Sequence, residues 1–165
     1  VPVLCKLTIT TVDDGLAAKI EPKAPPPSRR LEAVRRLSEA GIFTGVLLMP
    51  VLPFVEDTQE NVLTVTEKAA QAGARFVYAA FGMTMRQGQR EYYLRNLETA
   101  FPGQGLTERT LRQYGERYEC PSPRAKKLWQ AFSRRCEELG LLYRMRDIVS
   151  AYQRGYAERQ LSFLE

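Results

Sequence analysis

Residues Leu7 to Gly41 read LTITTVDDGLAAKIEPKAPPPSRRLEAVRRLSEAG, and they join a strand to a helix through an unusual loop. Leu4 to Val12 is rich in Leu, Ile, Thr and Val, which predicts a strand that runs into the acidic turn Asp13-Asp14-Gly15. The run Pro25-Pro26-Pro27 excludes helix. Ser28 after it is expected to N-cap a helix whose Leu31, Val34, Leu37 and Ala40 share one face. Gly41 then supplies the left-handed residue that ends it.

The same module returns downstream. Ala40-Gly41 followed by IFTGVLLMP matches Ala72-Gly73 followed by ARFVYAAF, 32 residues later. Between them Asp57 precedes Glu60 at capping-box spacing and opens a helix with Val62, Val65, Ala69 and Ala72 on one side. The order is therefore β-α-β-α-β. Gly45 to Met49 and Phe76 to Phe81 are apolar on both faces, the pattern of parallel strands with right-handed crossovers. Sites in such sheets lie beyond the carboxyl ends of the strands. That places interest on Thr10 and Thr11, on Met49 and Pro50, and on Phe81 through Thr84.

A chain of 165 residues can bury one good core, but three strands in sequence make a poor closed sheet. The chain opens at the edge of a strand with no lead-in, and we expect a piece of a longer protein. No apolar run is long enough to span a membrane and no secretory leader opens the sequence, which makes a soluble cytoplasmic protein the expectation. Cys5, Cys120 and Cys136 have unrelated spacings, so they suggest neither a disulfide framework nor a metal knuckle, and Cys136 falls on an apolar helical stripe. Histidine is absent, which removes Ser-His-Asp and Cys-His catalysis and the common zinc sites from this segment. No P-loop glycine pattern occurs.

From Gly82 onward the strand pattern stops and helices take over, punctuated at FPGQG and CPSPR, with a soft boundary near Phe101. Gln87 to Ala100 reads as a helix with Tyr93, Leu94 and Leu97 inward, and Thr107 as the cap of a short helix reaching Tyr114. Ser122 as N-cap and Pro123 start the strongest helix, with Leu128, Trp129, Phe132, Cys136 and Leu139 on its inner face and Lys126, Lys127, Arg134 and Arg135 outside, ending at Gly140. Of the formal net charge of +5, most lies in the tail: residues 1–100 hold 12 Lys and Arg against 11 Asp and Glu, and residues 101–165 hold 12 against 8. Arg112, Tyr114, Arg117, Tyr118, Arg144, Tyr152 and Arg154 interleave cations with aromatics as nucleic-acid surfaces do, although Glu116, Glu119, Glu137 and Glu138 dilute the patch.

ITTVDD, IEPKAPPPSRRLEAVRRLSEAGI and LLMPVLPFVEDTQEN together resemble the later half of the radical S-adenosylmethionine proteins related to spore photoproduct lyase. The matching features are Thr10-Thr11, Glu21-Pro22, Ala24-Pro25, Arg30-Leu31, Ala40-Gly41-Ile42 and the double-proline stretch Pro50 to Pro53, and FGMTMRQGQREYY and YECPSPRAKKLW look like one branch of that group. The resemblance implies a partial (β/α) barrel segment of parallel strands over residues 1–100, followed by a helical C-terminal extension over 101–165. It implies S-adenosylmethionine and a [4Fe-4S] cluster as cofactors of a longer parent, a lyase-like enzyme with DNA repair among the possible outcomes. The family holds its cluster through three closely spaced cysteines, and this chain has no such trio, so neither cofactor is expected to be held by the segment alone and it is expected to be inactive without the missing N-terminal half of the barrel.

By the same resemblance Thr10 and Thr11 end the central strand and meet the methionine or ribose portion, and Arg30 faces the methionine carboxylate. Glu21 either hydrogen-bonds ribose or tethers the Pro-rich loop, Met49 and Pro50 lie against adenine, and Gly82, Thr84 and Arg86 face the substrate. No metal ligand is assigned. The alternative from the residues themselves is a basic nucleic-acid-binding module on an α/β scaffold, without catalysis.

Overall fold

A computed structural model describes residues 3–161. Val1, Pro2 and residues 162–165 of the expected extension lie outside the described residues. The chain is a mixed α/β protein. Strands β1 (Leu4–Thr8), β2 (Phe43–Leu48) and β3 (Phe76–Ala79) form a parallel sheet in the order β1-β2-β3, with helices α2 (Pro27–Glu39) and α3 (Gln59–Gln71) in the crossovers. The repeated helix-glycine-strand unit is therefore real: Gly41 and Gly73 both adopt positive φ, at 76° and 83°, and each releases the chain into the following strand.

β2 is the central strand, so the expectation that Thr10 and Thr11 end the central strand is corrected. They follow a strand at the edge of the described sheet that stops at Thr8, four residues before the expected Val12; the last bond to β2 that continues its ladder is the Ile9 N–H donating to the Leu47 carbonyl. Parallel packing is tightest at Gly45, where a Cβ would come within 2.4 Å of the Phe76 ring opposite it. Beyond β3, Val77 N–H donates to the Leu142 carbonyl and Leu142 N–H donates to the Arg75 carbonyl, so residue 142 adds one parallel rung to the sheet edge. The strands do not close into a barrel.

Several local expectations fail for identifiable reasons. Helix α1 (Asp14–Ile20) stands where a loop was expected: Asp13 caps it by accepting from the Gly15 and Leu16 N–H groups, so the acidic turn starts a helix. Ser28 is already inside α2, whose N-cap is Pro26 and whose first turn holds Pro27; the Ser28 N–H and hydroxyl both donate to Asp14. Thr58, not Asp57, caps α3 by accepting from the Asn61 N–H.

The strand pattern does not stop at Gly82. Strand β4 (Gly82–Thr84) pairs antiparallel with β5 (Glu119–Pro121), and between them lie α4 (Gln89–Ala100) and α5 (Leu106–Tyr114). Gly105 and not Thr107 occupies the N-cap of α5; the Thr107 hydroxyl donates to the Leu94 carbonyl instead. Helix α6 (Ala125–Glu138) begins after an N-cap at Arg124, with Ser122 two residues earlier accepting from the Arg124 N–H, and α7 (Met145–Leu161) follows.

The main core crosses the boundary expected near Phe101. Leu128, Phe132 and Cys136 of α6 join Ile9, Val34, Leu48 and Val65 in one buried cluster, and burial pushes the Cys136 thiol up to about 12, as its apolar stripe implied. Trp129 is 41% exposed rather than interior, yet it keeps ring contacts with Phe81, Phe132 and Tyr143. No helix among the described residues is long and apolar enough to cross a membrane.

Asp57 fastens the extension to the sheet. Its carboxylate is buried, accepts the Phe54 N–H at 2.8 Å and the Ser122 hydroxyl at 2.6 Å, and lies 3.7 Å from Arg124. Phe54 needs that support because its φ of 68° is a left-handed conformation costly for an aromatic residue. Replacing Asp57→Ala removes both acceptors and leaves two donors without partners, so we expect a loss of about 2–4 kcal/mol in urea unfolding. Asp57→Asn, which keeps one acceptor oxygen, is expected to lose less.

Candidate functional site

The carboxyl ends of the three strands meet at one rim, where the sequence placed the candidate residues. Thr10 and Thr11 are both buried there; the Thr10 carbonyl accepts from the Asn61 side-chain amide at 2.8 Å and the Thr11 hydroxyl accepts from the Asp13 N–H. Met49 and Pro50, joined by a cis peptide, end β2 beside them, with Met49 half-buried and Pro50 exposed.

Arg30 and Glu21 are brought together rather than left open. The Arg30 side chain is 12% exposed, and its guanidinium donates to the Pro25 carbonyl at 2.7 Å, the Thr8 carbonyl at 2.9 Å and Glu21 at 2.5 Å. One cation thus clamps the Pro-rich loop to the end of β1. Of the two roles open to Glu21, tethering that loop is the one this contact performs.

Gly82, Thr84 and Arg86 lie farther along. The close approach that Gly82 permits is made by β5, since a Cβ there would sit 2.7 Å from the Cys120 carbonyl oxygen and from Pro121 Cα. Arg86 and Thr84 hydrogen-bond the exposed Tyr118 phenol and lower its pKa, Arg86 contributing most. Thr84 also lines a cavity of about 540 Å³ between the rim and α4. Its walls include Ile20 and Pro22 from the end of α1, Pro50 and Leu52 after β2, and Met83 and Tyr93. The volume and apolar lining fall within the usual range of small-molecule sites.

The group the sequence reading missed is Glu56. It is 1% exposed, one oxygen accepts the Leu52 N–H at 3.0 Å, and the other, Oε1, has no hydrogen-bond partner. Burial raises its pKa to about 7; the Thr10 hydroxyl and Leu52 N–H ease the charge, while Glu21 and Asp57 add to the rise. Tyr93, whose buried hydroxyl is also unpartnered, is held well above the usual phenol range by burial first and by the Glu56 charge next. No local signal marks it: PFVEDT places two acids before the capping Thr58, and neither caps the helix.

The three thiols stand on three separate elements, Cys5 on β1, Cys120 on β5 and Cys136 on α6. Among the described residues no three His, Cys, Asp or Glu side chains gather into a group able to hold a metal ion. The residues here do not fit an iron-sulfur cluster. Of the basic-aromatic set, Tyr114 is buried and donates its hydroxyl to the Pro121 carbonyl at 2.6 Å, whereas Tyr118 is exposed.

The chain is similar to the uncharacterized protein ORF301 of Acidianus two-tailed virus, with 32% identity over 98 residues, covering 58% of this chain and 32% of that protein. It is 30% identical over 102 residues to the uncharacterized proteins Mb2609c of Mycobacterium bovis and Rv2578c of Mycobacterium tuberculosis, covering 62% of this chain and 30% of each. The chain spans about a third of the length of the curated relatives it matches. No family model and no solved structure matches it.

Glu56 makes stability depend on pH. The folded protein keeps its proton up to about pH 7, whereas an unfolded chain releases it near 4.5. The stabilisation from this group is therefore complete below about 4.5, falls between 4.5 and 7, and is lost above that range, a swing of about 3 kcal/mol. Glu56→Gln keeps an acceptor for Leu52 and cannot ionise. We expect it to match the parent at pH 4.5 and to exceed it by about 2–3 kcal/mol at pH 8 in urea unfolding; equal stability of the two proteins at both pH values would show that Glu56 has an ordinary pKa.

Proposed function

We propose that this chain is the later half of a radical S-adenosylmethionine iron-sulfur enzyme of the spore photoproduct lyase-like group, a partial (β/α) barrel segment that contributes cofactor and substrate walls. The observation that carries the reading is the convergence at one rim of the residues the resemblance selects, Thr10 and Thr11, the Glu21–Arg30 pair, and Met49 with Pro50. Arg30 has guanidinium N–H groups beyond its three bonds for the methionine carboxylate, and the strand end at Met49 and Pro50 is apolar enough for a flat base.

The cluster supplies the electron that cleaves S-adenosylmethionine in this family, and its ligands belong to residues outside this chain. What the chain itself does is hold the wall. Arg30 fixes the 21–25 loop and the end of β1 in one place, and the cavity beside Thr84 receives the substrate. In this reading the free edge of β1, which has no strand on its outer side among the described residues, takes the next strand of the N-terminal half. The length of the relatives, about three times the matched region, is consistent with that arrangement.

The alternative, a basic nucleic-acid-binding module, has less support, because Tyr114 turns inward and Arg135 is tied to Glu67 and Glu138. It predicts affinity that falls steeply with salt and needs no iron.

The test is anaerobic reconstitution of a longer protein that includes the residues encoded upstream. We expect three cysteines within about ten residues there, a visible cluster absorbance, and release of 5'-deoxyadenosine and methionine from S-adenosylmethionine under reduction. A gene without such a cysteine trio, or a cluster-loaded protein that leaves S-adenosylmethionine intact, overturns the reading.

A further inference from the structure

The cavity of about 540 Å³ between the rim and α4 has an apolar interior and a polar mouth. Met85, Leu97 and Phe101 are buried in its walls, and Ile20, Leu52 and Met83 are half-buried beside them. The polar lining residues Lys19, Gln89 and Asn96 are exposed. A guest that matches this arrangement is amphipathic, with an apolar body inside and a polar head at the opening.

The charge at the mouth selects the head. Among the described residues Lys19 is the one charged side chain of the lining, and no Asp or Glu joins it. Its ammonium lies 5.4 Å from the centroid of the Phe101 ring, itself a cavity wall, and has no acidic partner among the described residues. Glu21, two residues on, is already engaged by Arg30. Lys19 also stands in the last turn of α1, where a cation suits the helix dipole, but that role needs no place at a cavity mouth. A cationic head would meet a like charge with no carboxylate to receive it. A neutral head would leave the ammonium to water. A carboxylate gains an ion pair there and has no resident acid to displace.

We infer that this cavity binds a small carboxylic acid with an apolar body of ring size, its carboxylate facing Lys19. The enzyme reading gives the same cavity to the substrate, and the inference rests on that reading only where it names the substrate's class. Binding itself needs neither the cluster nor S-adenosylmethionine, so each can fail without the other.

The experiment titrates the full chain, labelled at its methionine methyl groups for NMR, with phenylpropionate, phenylpropanol and phenylpropylamine at low salt. Met83 and Met85 line the cavity, whereas Met145 is exposed on α7 and serves as the reference. Phenylpropionate is expected to shift the Met83 and Met85 signals and to leave Met145 in place. It is expected to bind about three- to fivefold more tightly than the alcohol, a margin that an exposed ion pair supplies and added salt reduces, with the amine weakest. Lys19 is exposed, so its substitution leaves the core intact. Lys19→Gln is expected to remove the acid's margin while the alcohol binds as before, and Lys19→Arg to keep it. The inference is overturned by unmoved Met83 and Met85 signals, by alcohol or amine binding as tightly as the acid, or by a margin that survives Lys19→Gln.

Discussion

The buried carboxylate of Asp57 holds this structure together at its most demanding point. The chain leaves β2 through Pro50 and Pro53 and must turn within a few residues into α3, and it does so by placing Phe54 in a left-handed conformation. An aromatic residue adopts that conformation only when its surroundings impose it. Asp57 binds the Phe54 N–H from one side and the Ser122 hydroxyl from the other. The Phe54 ring then packs against Tyr114 and under the Arg109 guanidinium, 4.3 Å away. A single carboxylate thereby joins the turn after the central strand to the start of α6, and through Phe54 to the α4–α5 layer.

Neighbouring acids in the same turn have opposite fates, and the difference is one of partners rather than burial. Asp57 and Glu56 are equally inaccessible to water, at 1% exposure each. Asp57 is answered by a hydroxyl, a backbone N–H and a guanidinium. Glu56 meets one N–H and one hydroxyl and no guanidinium, and its cost of burial appears as a pKa raised to about 7. A residue kept buried with half its bonding unmet is the kind of local inconsistency that concentrates at functional sites.

The sequence made the repeated crossovers legible because their signals are local. Gly41 and Gly73 need positive φ, Val34, Val62 and Val65 recur at helical spacing, and two apolar runs sit between them. These features depend on neighbours a few residues away, which a pattern records. β4 and β5 were not legible because each is three residues long and finds its partner 35–39 positions away. The rung at Leu142 is a single residue with no pattern to detect. The caps lie one or two positions from where the pattern puts them, since Asp57, Ser122 and Ser28 are all good cap residues whose side chains are engaged by distant groups. The candidate site was legible to the extent that strand ends mark a rim. Glu56 escaped because nothing in PFVED tells a solvated acid from a buried one.

The arrangement of the rim gives its polar groups different freedoms. Arg30 is locked by three acceptors from three places in the chain, the end of β1, Glu21 and the Pro-rich loop. Such a clamp sets the shape of the wall, and a planar guanidinium with several fixed bonds does so with little remaining motion. Asn61 works the same way from α3, donating to both the Thr10 and Glu56 carbonyls. Asn61 thereby fixes the backbone at Glu56, whose buried side chain meets the Leu52 N–H and the Thr10 hydroxyl, so the turn before α3 is held to the end of β1 from both its main chain and its side chain.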